Sequence, residues 1–260
     1  MHIISNNGVS LLVQDQGPKE GRVVLFANSL GTDLRVWDAL IAHLPDDLRV
    51  VRFDKRGHGL SDCPQGPYTI EDLAGDAAAV AEALDLKDIT FVGLSIGGLI
   101  GQALVAARPD LVKALVLMDT AAQIGTAEFW NDRISAMRAS GIEPLANGVM
   151  ERWFATAFRA DDQRVSPWRN MLARTPLEGY LGCCAAIAGA DFTAKAADVQ
   201  LPVMAIVGDE DGATPPDLVR ATADLYKAEF HVIEQAGHLP CVEHPMQTAK
   251  LITDFIKGTA

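Results

Sequence analysis

The chain has 260 residues, of which 49% are apolar and 22% are charged, and its formal charge is −12 at pH 7. This composition is typical of a globular protein with one well-buried core and excludes a largely disordered chain. The excess of acidic residues makes nucleic acid and anionic membranes poor partners. It does not exclude an anionic small substrate, because a pocket can be basic inside an acidic shell.

No recognisable signal directs the sequence to a membrane or out of the cell. A basic segment followed by an apolar run is missing at the N-terminus, and no stretch approaches about 18 uninterrupted apolar residues. The four cysteines show neither a Cys-x-x-Cys pair nor histidine spacing suited to zinc. We therefore expect a cytoplasmic protein with reduced thiols, no transmembrane helix and no metal site.

Short β-branched runs alternate with longer segments of helical period. This alternation predicts βαβ units and a mostly parallel central sheet covered by helices on both faces. Thr69 and Asp72 form a capping-box-like start for one of the helices. The predicted strands are 9–13, 23–27, 48–53, 89–92, 114–118, 203–207 and 230–233, and the predicted helices are 70–84, 96–107, 218–226 and 242–256.

The alternation stops between residues 121 and 196, where several short helices and no buried strand are expected. Three of the four tryptophans, Trp130, Trp153 and Trp168, lie in this interval. Ligands bind outside the carboxyl ends of the strands in open α/β sheets, so a helical insertion here predicts a cap that closes a pocket. The alternative is a simple extension of the core. We therefore predict a core domain of residues 1–120 and 197–260 and an inserted cap of residues 121–196.

The segment Gly93-Leu94-Ser95-Ile96-Gly97 has the Gly-x-Ser-x-Gly pattern between a predicted strand and a predicted helix. In this context the pattern is typical of a nucleophile on a tight turn, where flanking glycines avoid collisions and the helix N-terminus favours negative charge. A phosphate-binding loop is the alternative, but the Gly-Lys-Ser/Thr ending of a Walker loop is missing. Ser95 is therefore the predicted nucleophile.

A serine nucleophile needs a base and an orienting carboxylate. His238 follows the last predicted strand in a loop, at the same edge of the sheet as Ser95, whereas the other five histidines lie elsewhere. The loop after the preceding strand contains Asp209, Glu210 and Asp211, which gives the chain order Ser, Asp, His. We assign Asp211 as the orienting acid, with Asp209 as the competing candidate.

Backbone N–H groups are expected to stabilise the oxyanion. We assign those of Ile96, directly after the nucleophile, and of Leu30, in the loop after the predicted strand 23–27. The segment 54–61 (D-K-R-G-H-G-L-S) contains His58, which is a candidate second base. Its glycines favour a structural turn held by side-chain hydrogen bonds instead.

These motifs resemble the α/β-hydrolase superfamily over essentially the whole chain. Many members of the superfamily have His-Gly where this chain has Asn28-Ser29. Segments of the predicted cap, such as 151–154 (E-R-W-F) and 175–180 (T-P-L-E-G-Y), are similar to the 3-oxoadipate enol-lactonase family. The superfamily motifs are N-S-L-G at 28–31, D-K-R-G-H-G-L-S at 54–61, G-L-S-I-G-G at 93–98, G-D-E-D-G-A-T-P at 208–215 and A-G-H at 236–238.

The resemblance implies ring-opening hydrolysis of an enol-lactone, a small molecule, through an acyl-enzyme in the β-ketoadipate pathway of aromatic-compound catabolism. It implies no metal or organic cofactor. The free carboxylate of such a substrate needs a cationic partner, for which Arg133 and Arg152 are candidates, with Trp130 and Trp153 as pocket walls. The alternative for either arginine is a solvated surface charge.

Two other functions are compatible with the same residues. One is a carboxylesterase, another lactonase or a carbon–carbon-bond hydrolase with the same triad. The other is a non-catalytic ligand-binding protein of the same fold. Ser95, Asp211 and His238 are all present, which favours an enzyme.

Overall fold

The computed structural model describes residues 1–259. Its strands are β1 (His2–Asn6), β2 (Val9–Gln16), β3 (Arg22–Ala27), β4 (Leu48–Phe53), β5 (Ile89–Leu94), β6 (Val112–Met118), β7 (Val203–Gly208) and β8 (Glu229–Ile233). They form one sheet in the order β1-β2-β4-β3-β5-β6-β7-β8. The β1–β2 and β2–β4 pairs are antiparallel and all the others are parallel. The predicted mostly parallel sheet is confirmed.

From β3 onwards, every connection between consecutive strands contains at least one helix. The helices are α1 (Asp38–Ile41), α2 (Ile70–Ala83), α3 (Ile96–Ala107), α4 (Ala127–Ser140), α5 (Ala146–Trp153), α6 (Thr156–Arg159), α7 (Asp162–Ala173), α8 (Leu177–Ala188), α9 (Pro216–Tyr226), α10 (Pro240–Glu243) and α11 (Pro245–Gly258). Short 3-10 turns add Leu34–Trp37, Glu143–Leu145 and Ala196–Asp198. Among residues 1–259, no helix combines the length and apolar character needed to cross a bilayer.

The helices form separate layers around the sheet. Strands β4, β5 and β7 are buried along their whole length, which requires cover on both faces. In one layer α2 packs on α3, and Tyr226 of α9 donates a hydrogen bond to Gln102 of α3 at 2.9 Å. In the other layer α1, α10 and α11 pack on one another.

Two elements differ from the prediction. Strand β1 was not predicted, because only Ile4 of its five residues is buried and the sequence shows no alternation. The single helix predicted over 242–256 is two helices, α10 and α11, separated at His244. His244 has φ −131° and ψ 58°, a non-helical conformation favoured by the following Pro245. The capping box of Thr69 and Asp72 at the start of α2 is confirmed.

The topology collects the loops that carry chemistry at one edge of the sheet. Because β5, β6, β7 and β8 are parallel, their carboxyl ends lie side by side. Ser95, Asp119, Asp211 and His238 follow these four strands in that order. Between β6 and β7 the chain forms only helices, α4 to α8 and two 3-10 turns. This helical segment, residues 119–202, therefore leaves the sheet at the edge where these loops meet and returns to the amino end of β7 at the opposite edge.

A buried ion pair fixes the turn after β4. Arg56 donates to both carboxylate oxygens of Asp76 in α2, at 2.6 Å from Nε and 2.7 Å from Nη2. The side-chain amide of Asn6 in β1 donates to the same carboxylate at 2.8 Å. Three separate parts of the chain therefore depend on one carboxylate.

Replacement of Asp76 tests this dependence. Asp76→Ala leaves the buried Arg56 guanidinium with only the half-exposed Asp72 carboxylate, 3.9 Å from Nη1, which costs about 3 kcal/mol of unfolding free energy. The measurement is urea unfolding followed by circular dichroism. Asp254→Ala, which removes the exposed pair with Lys250, is the matched control and leaves the unfolding midpoint unchanged. Equal shifts in the two variants would contradict this account.

Candidate functional site

Ser95 occupies the sharp turn between β5 and α3. Its backbone has φ 58° and ψ −118°, in a region that residues with a side chain rarely adopt. The Ser95 N–H donates to the carbonyl of Met118 at 2.9 Å, and the Thr120 hydroxyl donates to the carbonyl of Ser95 at 2.7 Å. The last residue of β6 and the loop after it therefore hold both the N–H and the carbonyl of this strained residue.

The neighbouring glycines are needed because backbone segments approach the turn closely. A Cβ atom on Gly97 would lie 2.0 Å from the carbonyl oxygen of Ala27 in β3. A Cβ atom on Gly93 would lie 2.2 Å from the carbonyl oxygen of Gly97. Neither distance is compatible with a side chain, so the Gly-x-Ser-x-Gly pattern has a steric basis in this fold.

His238 and Asp211 form a buried pair beside the serine turn. His238 Nδ1 lies 2.9 Å from Asp211 Oδ2, and the two residues are only 2% and 4% exposed. The carboxylate also accepts hydrogen bonds from the Ala213 N–H at 2.7 Å and from the Thr214 hydroxyl at 2.6 Å. The carboxylate is thus fixed by several donors, of which the His238 imidazole is titratable.

The charge state of Asp211 follows from these contacts. Burial alone would raise the pKa of Asp211, but the proximity of His238 and the hydrogen bonds from His238 and Thr214 outweigh it and lower the pKa below its ordinary value. A carboxylate at Nδ1 keeps the ring proton on that nitrogen, so Nε2 of His238 is free to accept a proton.

The structure separates the two candidate acids. Asp209 is exposed and accepts a hydrogen bond from the Ala236 N–H at 3.2 Å, whereas Asp211 is the residue that contacts His238. Glu210 points away from both and accepts hydrogen bonds from Thr156. Of the three acids in this loop, Asp211 alone therefore lies in position to orient the imidazole.

Asp119 is a second acid at the site, beside Asp211, and was not predicted from the sequence. Its carboxyl group lies within 4.8 Å of the side chains of Asp211 and His238, and it accepts a hydrogen bond from the Gly208 N–H at 2.9 Å. Burial and the negative charge of Asp211 raise the pKa of Asp119 well above its ordinary value, which favours the neutral acid. Metal binding by these three residues would have to displace the bond between His238 and Asp211.

The loop after β3 brings Leu30 to the same cavity as Ser95. Within residues 1–259, the N–H groups of Leu30 and Ile96 have no hydrogen-bond acceptor. The side chain of Ser29 is also present, with Oγ 3.5 Å from Nε2 of His238, at the outer limit of a hydrogen bond. The sequence marks Ser29 only as a departure from the His-Gly of many relatives, so its contact with His238 was not predicted.

The turn after β4 holds the loop after β3 in place through hydrogen bonds to its backbone. The buried Lys55 ammonium donates to the carbonyls of Ser29 at 2.6 Å and Thr32 at 3.1 Å. His58 Nε2 accepts a hydrogen bond from the Gly31 N–H at 2.9 Å. Burial and the adjacent Lys55 lower the pKa of His58 well below its ordinary value, consistent with a neutral acceptor. His58 therefore contacts the loop and not Ser95, as expected of a structural turn.

A cavity of about 510 Å³, including its mouth, opens above the serine turn. Trp130, Arg133 and Trp153, the predicted pocket residues of the helical segment, all contribute to its wall. Trp168 does not. The complete lining is Ser29, Leu30, Ser95, Ile124, Trp130, Arg133, Val149, Arg152, Trp153, Tyr180, Ile187, Ala213, Thr214 and His238.

Two arginines give the cavity a positive wall. Arg133 donates to the Tyr180 hydroxyl at 2.8 Å, and its guanidinium lies 5.9 Å from the centre of the Trp130 ring. Arg152 donates from Nε to the Gly212 carbonyl at 3.1 Å. Burial and the charge of Arg133 lower the pKa of Arg152 below its ordinary value. Within the described residues neither guanidinium forms an ion pair with a carboxylate.

Three of the known proteins similar to this chain agree with one another in the reaction named for them. A family model described as alpha/beta hydrolase fold matches residues 22–245. The chain is 36% identical to 3-oxoadipate enol-lactonase 2 of Acinetobacter baylyi over 88% of this chain and 86% of that protein. It is 33% identical to 3-oxoadipate enol-lactonase 1 of the same organism over 98% and 96%. The crystal structure of the enol-lactonase from Burkholderia xenovorans LB400 superposes with a TM-score of 0.94 at 34% identity, covering 98% of this chain and 100% of that one.

Proposed function

Since the chain belongs to the α/β-hydrolase fold family, we propose that it hydrolyses 3-oxoadipate enol-lactone to 3-oxoadipate, a reaction of aromatic-compound catabolism. The observation that carries the proposal is the position of the Ser95 turn and the His238–Asp211 pair beneath a cavity with two arginines that lack carboxylate partners. The similarity to enol-lactonases along nearly the whole chain supports the same substrate class.

In the first half of the proposed reaction, Ser95 Oγ attacks the lactone carbonyl while Nε2 of His238 takes the hydroxyl proton. Asp211 stabilises the resulting imidazolium. The N–H groups of Leu30 and Ile96 donate to the developing oxyanion. Their lack of an acceptor in the structure supports this role.

In the second half, the bond between the carbonyl carbon and the ring oxygen breaks. The departing oxygen belongs to an enol, which takes up the proton from His238 and becomes the ketone. The ring has opened, so the whole substrate remains attached to Ser95 as an ester. Water that gives a proton to His238 then attacks this ester. The bond between the acyl carbon and Ser95 Oγ breaks, His238 returns the proton to Ser95 Oγ, and 3-oxoadipate leaves with a newly formed second carboxyl group that ionises in water.

We further propose that Arg133 binds the free carboxylate of the substrate, with Arg152 adding positive charge and Trp130 and Trp153 acting as apolar walls. The hydrogen bond to Tyr180 orients the Arg133 guanidinium, and its Nε has no partner within residues 1–259. A carboxylate entering the cavity provides the charge that the arginines lack, in agreement with a basic pocket inside an acidic shell.

The two predicted domains contribute different kinds of residue to the cavity, which supports the predicted domain boundaries. Ser95, Leu30 and His238 belong to residues 1–120 and 197–260, the proposed core. The apolar and cationic walls come from residues 121–196, the proposed cap, which in this assignment selects the substrate.

The cysteine usage supports a cytoplasmic location.

Removal of the nucleophile tests the proposed function. Ser95→Ala lacks the hydroxyl that forms the acyl-enzyme, so kcat falls by about 10⁴-fold or more. The measurement is the loss of ultraviolet absorbance of the enol-lactone, with wild type assayed beside the variant. Ser135→Ala, at an exposed position of α4, is the control and retains wild-type activity. Wild-type protein that leaves the enol-lactone intact would refute the function.

The assignment of the acid is tested by two matched variants. Asp211→Asn keeps the shape of the side chain but removes the charge that stabilises the imidazolium, and it can hold the wrong tautomer. We expect kcat to fall by about 10³- to 10⁴-fold. Asp209→Asn, two residues away and exposed, should change kcat less than about threefold. The reverse order of effects would show that Asp209 is the acid.

The role of Arg133 is tested by Arg133→Met, which keeps most of the side-chain volume without the charge. The loss of a charge-assisted hydrogen bond should raise KM for the enol-lactone by about 10- to 100-fold. Arg138→Met changes an exposed arginine of the same helix and should leave KM unchanged. An unchanged KM in Arg133→Met would exclude Arg133 as the carboxylate ligand.

A further inference from the structure

The corner between α5 and α6, residues 152–156, contacts both loops that carry the proposed triad. The carbonyl of Arg152 accepts a hydrogen bond from the Gly212 N–H at 3.2 Å, next to Asp211. The carbonyl of Trp153 accepts one from the N–H of His238 itself at 2.8 Å. Arg152 and Trp153, whose side chains line the cavity, therefore hold the two loops of the proposed triad through their backbone carbonyls.

The backbone of the histidine loop packs tightly against the corner at Gly237. A Cβ atom on Gly237 would lie 2.5 Å from the Trp153 carbonyl oxygen, so no other residue fits without moving the corner. The position of the imidazole is therefore coupled to the position of the Trp153 wall of the cavity.

Glu243, in α10, joins the same two segments with its side chain. Its Oε1 accepts a hydrogen bond from the Gly237 N–H at 2.7 Å, and its Oε2 accepts one from the Ala155 N–H at 3.0 Å. One donor precedes His238 and the other lies two residues after Trp153. Glu243 is 8% exposed, so few water molecules can replace these bonds.

A charged carboxylate is energetically unfavourable at this buried position. Burial raises the pKa of Glu243 to about 7 despite the two backbone donors, and Glu210 adds to the rise while Arg164 opposes it. Within the described residues Glu243 has no ion-pair partner. Its two oxygens can both accept, whereas a glutamine amide would turn an NH2 group towards one of the two N–H donors.

We propose that Glu243 is a positioning residue, whose carboxylate bridges the Gly237 and Ala155 N–H groups and so fixes His238 relative to the Trp153 wall of the cavity. This inference rests on the proposed role of His238 as the base for Ser95. Loss of one arm of the bridge lets the histidine loop shift against the corner, which weakens proton transfer from Ser95 while the nucleophile remains in place.

Glu210 provides a matched comparison, because it ties the same corner to the acid loop from an exposed position. It accepts hydrogen bonds from the N–H of Thr156 at 2.8 Å and from the hydroxyl of Thr156 at 2.7 Å. These bonds reach neither the histidine loop nor Trp153. Removal of this tether should therefore not move His238.

The experiment measures the reaction of Ser95 with a fluorophosphonate in wild type, Glu243→Gln, Glu243→Asp and Glu210→Gln. The Ser95 Oγ–phosphorus bond forms, the phosphorus–fluorine bond breaks, fluoride leaves and His238 takes the serine proton. We expect the second-order rate constant per folded molecule to fall by about 10- to 100-fold in Glu243→Gln. Aspartate is too short to reach both N–H groups, so Glu243→Asp should also be slow, while Glu210→Gln should stay within about twofold of wild type.

Folding is followed by thermal unfolding, since a merely structural role would lower Tm without changing the rate per folded molecule. A wild-type rate in Glu243→Gln or Glu243→Asp overturns the inference, and so does failure of both variants to fold, which would assign Glu243 to stability alone. An equal loss in Glu210→Gln also overturns it. Wild-type protein that does not react would instead refute the proposed role of Ser95, so the two failures are distinguishable.

Discussion

The close backbone approach at the Ser95 turn is the constraint on which the rest of the site depends. Serine is held at φ 58° because Met118 at the end of β6 and Thr120 just after it bind both of its peptide groups, and because β3 leaves no room for a side chain at Gly97. The turn places the hydroxyl at the start of α3, where the helix N-terminus favours negative charge. Ile96 follows the serine directly, whereas Leu30, Asp211 and His238 reach this point from the carboxyl ends of the parallel strands β3, β7 and β8.

The site has a floor formed by the loops that follow the strands and a wall formed by residues of the helical segment. The floor is rigid because each part is held by buried hydrogen bonds, such as those of Lys55 beneath the loop of Leu30 and those of Thr214 to Asp211. The wall comes from the helical segment and carries the positive charge of Arg133 and Arg152. A protein with a net charge of −12 thus presents a basic pocket, which fits an anionic lactone better than a neutral ester.

Much of this organisation follows from the sequence because it rests on local patterns. The α/β-hydrolase fold is confirmed, and the Ser95 turn, the loop of Asp211 and the loop of His238 stand where strand ends were predicted. What the sequence did not reveal depends on contacts between distant residues. Asp119 looks like any acid after a strand, and Glu243 like a surface residue of a helix, until their burial and partners are known. The missed strand β1 has too few buried residues to produce a pattern.

The two arginines of the cavity matter for function if the substrate is a lactone that carries a free carboxylate. The most direct measurement compares kcat/KM for 3-oxoadipate enol-lactone with kcat/KM for the methyl ester of its free carboxylate, which has the same ring but no charge. We expect a preference of about 10- to 100-fold for the anionic lactone, the value expected for a charge-assisted hydrogen bond in the pocket. An equal or greater kcat/KM for the neutral methyl ester would contradict it.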